Sequence, residues 1–232
     1  MDQPAECNEL GQFHWHFGAW QAARHEFEQL LRWGQLKNSQ PLCEAAWNNL
    51  AVVFREIGDA AQASICQQQA WKAAFGTTDT ADLSPESLSC HMTNRANDAI
   101  LAGEFRLAER LLWSALDCDR LSQNLVDEAA DWGSLGIVAS LTGDFDSAGV
   151  RFERAYHIHA QLGDDIGMGC DLRHLAELAM ARGDFDEARR FVNRALVHFR
   201  RSGCRRLVRR ANRTKLEIAA RHRLAAFDPS RN

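Results

Sequence analysis

One short pattern recurs along this chain of 232 residues and restricts its fold more than any other feature. It is clearest at Gly183-Asp184-Phe185-Asp186-Glu187-Ala188, with Phe191 and Ala195 following at helical spacing. Matching segments start at Gly18 (with Trp20 and Ala23), Gly58 (Asp59, Ala63), Gly103 (Glu104, Phe105, Ala108) and Gly143 (Asp144, Phe145, Ala148). The five glycines stand 40, 45, 40 and 40 residues apart. Such a period means stacked supersecondary units, none of which buries its apolar side alone. In each unit an apolar-periodic helix runs into glycine, which supplies the left-handed residue that ends it. Asp or Glu then stands where a second helix needs its cap, and Asp184 with Glu187 has capping-box spacing.

The units follow in order. The first pairs helices around 5–17 and 20–33, and Trp33-Gly34 and Pro41 mark the connection to the second. Gly76 to Leu83 forms the longest connection; Ser84 as cap and Pro85 in the first turn then start the third unit. The expected units are 4–38, 44–76, 85–122, 127–162 and 166–202, with one capping helix over 205–227 closed by Asp228-Pro229-Ser230. All belong to a single repeat domain, 1–232. Small residues at 11, 51, 96, 136 and 176, and alanines at 23, 63, 108, 148 and 188, let the helices approach closely. They are packing residues, not a site.

Trp132-x-x-Leu135-Gly136-x-x-Ala139, followed by Gly143-Asp144-Phe145, Ala148, Phe152 and Ala155, resembles the tetratricopeptide repeat. Trp47, Leu50, Ala51, Phe54, Gly58, Asp59, Ala63 and Ala70 repeat the match in the second unit, although Gln67 replaces a large residue. The third unit departs from it with Met92 and Arg95, and the first lacks both the tryptophan and the acid. The period of 40 exceeds the family's usual 34 and resembles its longer-helix members. The resemblance implies an all-α fold, a right-handed α-α superhelix of five helical hairpins plus the capping helix. It also implies a concave groove that holds a partner's peptide or helix, and it does not imply catalysis.

Within that resemblance, the groove is lined by the second face of each unit's first helix. Asn48, Asn49, Arg55, Asn94, Asn97, Ser134, Arg173, His174 and Glu177 are the candidate partner-binding residues on that face. Asparagine suits an extended peptide because one side chain both donates and accepts. Asn49, Asn94, Ser134 and His174 share one repeat position, so a polar ladder and a merely solvated helix face are the two readings of this row.

Charge is uneven. Arg189 to Asn232 carry fourteen Lys/Arg against Glu217 and Asp228, a balance of +12, which leaves −16 for the rest. Arg205, Arg206, Arg209, Arg210 and Arg213 therefore offer an alternative surface for nucleic-acid phosphates, for the acidic body of a second copy, or for solvent alone. His14-Trp15-His16 and His157-Ile158-His159 place their histidines two apart, on different helix faces, so no metal is expected. No phosphate loop, nucleophile elbow or His-Glu-x-x-His motif points to an enzyme or a cofactor. Seven scattered cysteines read as reduced thiols, and the start has neither a basic segment nor an apolar one. The expectation is a cytosolic, non-enzymatic scaffold or adaptor.

Overall fold

A computed structural model describes residues 3–75 and 84–226. Among them there are eleven helices and no strand. In chain order these are α1 (Gln3–His16), α2 (Trp20–Leu36), α3 (Gln40–Glu56), α4 (Ala60–Phe75), α5 (Pro85–Leu101), α6 (Phe105–Ser122), α7 (Leu125–Leu141), α8 (Phe145–Leu162), α9 (Asp165–Ala181), α10 (Phe185–Arg201) and α11 (Arg205–Ala226). The connection over 76–83 and the segment Asp228-Pro229-Ser230 lie outside the described residues. The chain divides into two compact units, Met1–Ala102 with α1 to α5 and Gly103–Asn232 with α6 to α11. Inside each unit, each helix packs on the next one in the chain.

The repeated turn works as its residues dictate. At Gly183 φ is +82°, the Asp184 amide donates to the Ala179 carbonyl at 2.9 Å, and Asp184 Oδ1 accepts the Glu187 amide at 2.9 Å. Asp144 caps Ser147 and Asp59 caps Gln62 in the same way, at 3.1 and 3.0 Å. Glu104 departs from this. Its side chain makes no cap bond, and its carbonyl alone accepts from Leu107 and Ala108, because the extra methylene carries the carboxylate past the amides a shorter acid reaches.

Ala23, Ala63, Ala108, Ala148 and Ala188 are all buried, as packing residues should be. At Gly136 the constraint is sharper: a Cβ there would stand 2.5 Å from Cε1 of Phe152, itself buried on α8. Phe152 lies flat on backbone that has no side chain, which brings α7 and α8 close together. Gly34 corrects the sequence reading. It is not in a connector but inside α2, where a Cβ would meet Cys43 Sγ at 2.8 Å, so its role is close approach to α3 and the actual link is 37–39. All seven cysteines are free thiols, and burial pushes those of Cys66 and Cys170 up to about 11. Among the described residues no helix is long and apolar enough to cross a membrane.

Candidate functional site

In the first unit, α1, α3 and α5 carry the polar face that the repeat pattern singles out. Asn49 Nδ2 on α3 donates to Asn8 Oδ1 on α1 at 2.9 Å. Asn94 Nδ2 on α5 donates to Asn48 Oδ1 on α3 at 3.1 Å, and Asn94 Oδ1 accepts from Arg55 Nη2 at 2.8 Å. Arg55 Nη1 lies 3.9 Å from Asp98, whose carboxyl is raised above its ordinary value by burial and restrained by that guanidinium. The amides thus bond across helices, but the rung to Asn94 comes from Asn48, one residue from the position that the repeat alignment pairs with it. Asn48 and Asn94 are only 8 % exposed and brace the helices, while Asn49 is partly buried with donor and acceptor capacity left over. Asn97 is partly buried on the same helix as Asn94. Beside this network an open cleft of about 420 Å³ is lined by Asn8, Gln12, Glu44, Asn48, Asn49 and Glu86.

In the second unit the structure brings Arg173, His174 and Glu177 of α9 into one cluster. Arg173 is 4 % exposed and donates to Glu177 Oε1 and to His174 Nε2. A guanidinium has only donors, so Nε2 accepts and the imidazole is neutral, with its proton on Nδ1. Burial first, then the charges of Arg173 and Arg210, hold the His174 pKa well below its usual value. Its ring meets Phe152 edge-on, with centroids 5.0 Å apart. Ser134 on α7 is partly buried, and no hydrogen bond joins it to this cluster among the described residues.

The expected basic surface on α11 is split by helical geometry. Arg205 and Arg209 lie one turn apart and border an open cavity of about 640 Å³ with Phe199 and Val208. Arg210 instead acts on Cys170 and His174 of α9. Arg206 is partly buried, and Arg213 is exposed.

Two His–Asp pairs escaped the sequence reading. His159 Nδ1 on α8 lies 2.7 Å from Asp171 Oδ2 on α9, and His198 Nδ1 on α10 lies 2.7 Å from Asp165 Oδ1. The available signal was register: Asp119 and Asp131 occupy the two positions 40 residues before His159 and Asp171, and both are fully buried. Burial opposes the charged form of His159, yet the hydrogen bond and charge of Asp171, with Asp164, outweigh it and raise the pKa. Burial also raises the Asp171 carboxyl, against the pull of His159, so both shifts keep a proton in the pair.

The two histidines of α8 and α9 therefore give opposite pH slopes. His159 stabilises fully below its unfolded pKa of about 6.5, and that contribution is lost as pH rises through its raised folded value. His174 stabilises fully above about 6.5, and its contribution is lost as pH falls toward its depressed folded value. In thermal unfolding from about pH 5 to pH 9, His159→Gln is expected to flatten the decline in Tm on the alkaline side and His174→Gln the decline on the acid side.

No protein-family model matches the chain, and no curated protein matches it in sequence. Solved structures do match in fold. BtubC (BKLC) from P. vanneervenii is 15% identical with a TM-score of 0.56, over 93% of each chain. The nearly identical TPR-like repeats of a Podosopora anserina putative kinesin light chain are 18% identical with a TM-score of 0.53, over 87% of this chain and 99% of that one. The fold is that of the tetratricopeptide-like repeats. A Rap protein complexed with Competence and Sporulation Factor is similar as well, at 12% identity and a TM-score of 0.61, over 95% of this chain and 66% of that one. At such identities the likeness shows the tetratricopeptide-like fold alone.

Proposed function

We propose that the chain is a non-enzymatic protein-interaction module that takes an extended peptide segment on the polar face of α1, α3 and α5. The observation that carries this reading is the cleft of about 420 Å³ with its row of amides. Amide side chains suit a peptide backbone, which alternates donors and acceptors. In this reading Asn48, Asn94 and Arg55, bonded to one another, hold the helix faces, and Asn8, Gln12 and Asn49 on the cleft are the residues offered to the ligand. Pre-placed amides lower the ordering cost of binding. Glu44 and Glu86 on the same cleft favour a segment with basic residues. The Rap protein complexed with Competence and Sporulation Factor supports the reading in that a chain of this fold holds a partner.

The test is selection of displayed peptides on the intact chain, followed by fluorescence anisotropy of the selected peptides. Asn49→Ala and Gln12→Ala are expected to weaken binding about tenfold each, the equivalent of about 1.4 kcal/mol. Selected peptides that bind both variants as tightly as the original chain place the contact elsewhere and refute the assignment.

A further inference from the structure

The cavity beside α11 has a chemistry of its own. Arg200, Arg205 and Arg209 border it, and none of the three has an ion-pair or hydrogen-bond partner among the described residues. This contrasts with Arg24, Arg151, Arg173 and Arg182, each of which meets a carboxylate. Helices α7, α8, α9 and α10 start behind Asn124, Asp144, Asp164 and Asp184, whose side chains cap them. Helix α11 starts behind Cys204 with Arg205-Arg206 and no acid in its first turn, so the positive end of its dipole is reinforced instead of neutralised.

The preceding hairpin shows what the repeat normally places at these positions. Asp165 and Gly169 stand 40 residues before Arg205 and Arg209. There α10 brings His198 to within 2.7 Å of Asp165 and lays the Phe199 ring where a Gly169 Cβ would be 2.5 Å away. At α11 the polarity is reversed: cations replace the carboxylate and the glycine, and the seat calls for an apolar side chain flanked by carboxylates.

Such a face exists on this chain. Glu6 and Glu9 of α1 are exposed, three residues apart on one helix face, and neither has an ion-pair partner among the described residues. Beside them Leu10 is 41% and Phe13 55% exposed. We infer that the cavity bordered by Phe199, Val208, Arg205 and Arg209 receives α1 of a second copy of this chain, with Glu6 and Glu9 meeting the two guanidiniums and Phe13 covering the apolar floor. The two patches differ, so the contact is heterologous and joins copies head to tail. On α1 it uses Glu6, Glu9 and Phe13, whereas the peptide cleft uses Asn8 and Gln12 of the same helix.

Sedimentation velocity of the intact chain over a concentration series tests this. At about 0.05 M salt the sedimentation coefficient is expected to rise with concentration, and at about 0.5 M salt the rise is expected to disappear. Arg205→Glu/Arg209→Glu and Glu6→Arg/Glu9→Arg are each expected to weaken self-association about tenfold or more, and an equimolar mixture of the two restores it, because each then offers the charge the other lacks. Circular dichroism of both variants establishes that they are folded. A chain that stays monomeric up to about 100 μM at the lower salt overturns the inference. So does a mixture of folded variants that fails to reassociate. A monomer that binds a single-stranded oligonucleotide with steep salt dependence, lost in Arg205→Glu/Arg209→Glu, overturns it in favour of phosphate recognition.

Discussion

Replacing Phe152 by alanine is expected to destabilise the second unit by about 3–5 kcal/mol. The ring is 2% exposed, lies over Gly136 of α7 and meets the edge of His174 on α9, so its removal opens a cavity where α7, α8 and α9 are all in reach. Gly136→Ala in the original chain is expected to cost about 1–3 kcal/mol, because its Cβ would overlap the ring. In the Phe152→Ala background the same change fills empty space and becomes neutral or stabilising. Urea unfolding of the four proteins gives the cycle, and additive costs would show that the ring and the glycine do not depend on each other.

Asp171→Ala is expected to cost about 3 kcal/mol, since it leaves His159 mostly buried beside a missing partner. The cost should be larger near pH 6 than near pH 9, because the raised His159 pKa keeps the imidazolium populated at the lower pH and Asp171 is its principal compensating charge. His159→Leu/Asp171→Leu, which removes both polar groups, is expected to be less damaging than Asp171→Ala alone. Denaturant midpoints at the two pH values decide; a cost that does not change with pH would show that the pair carries no proton-linked energy.

The repeated turn was legible because its causes are local. A left-handed glycine and a short acid three residues before a free amide each act within a few residues, at Gly143 and Asp144, and the glycine under a ring, Gly136 beneath Phe152, repeats at a fixed offset inside one hairpin. What was not legible depends on stagger between helices. Asn48, not Asn49, reaches Asn94 because the relative slide of α3 and α5 is set by packing that no single helix encodes. Gly34 looked like punctuation because a glycine beside a proline-containing link usually is; only the approach of Cys43 shows why it is in a helix. His159 drew attention as half of a His-x-His pair, whereas its partner is 12 residues on, across a turn. The arginine cluster on α11 was visible as composition, and its division into two faces follows from helical spacing once the neighbours of each face are known.

The glycines that end the first helices of the hairpins have a further consequence. At Gly58, Gly143 and Gly183 a Cβ would have no atom within 4 Å, so these positions are restricted by backbone handedness and not by volume. The hairpin tips are therefore the natural graft points for a reporter or a binding loop, provided that the insertion preserves one left-handed residue at its start.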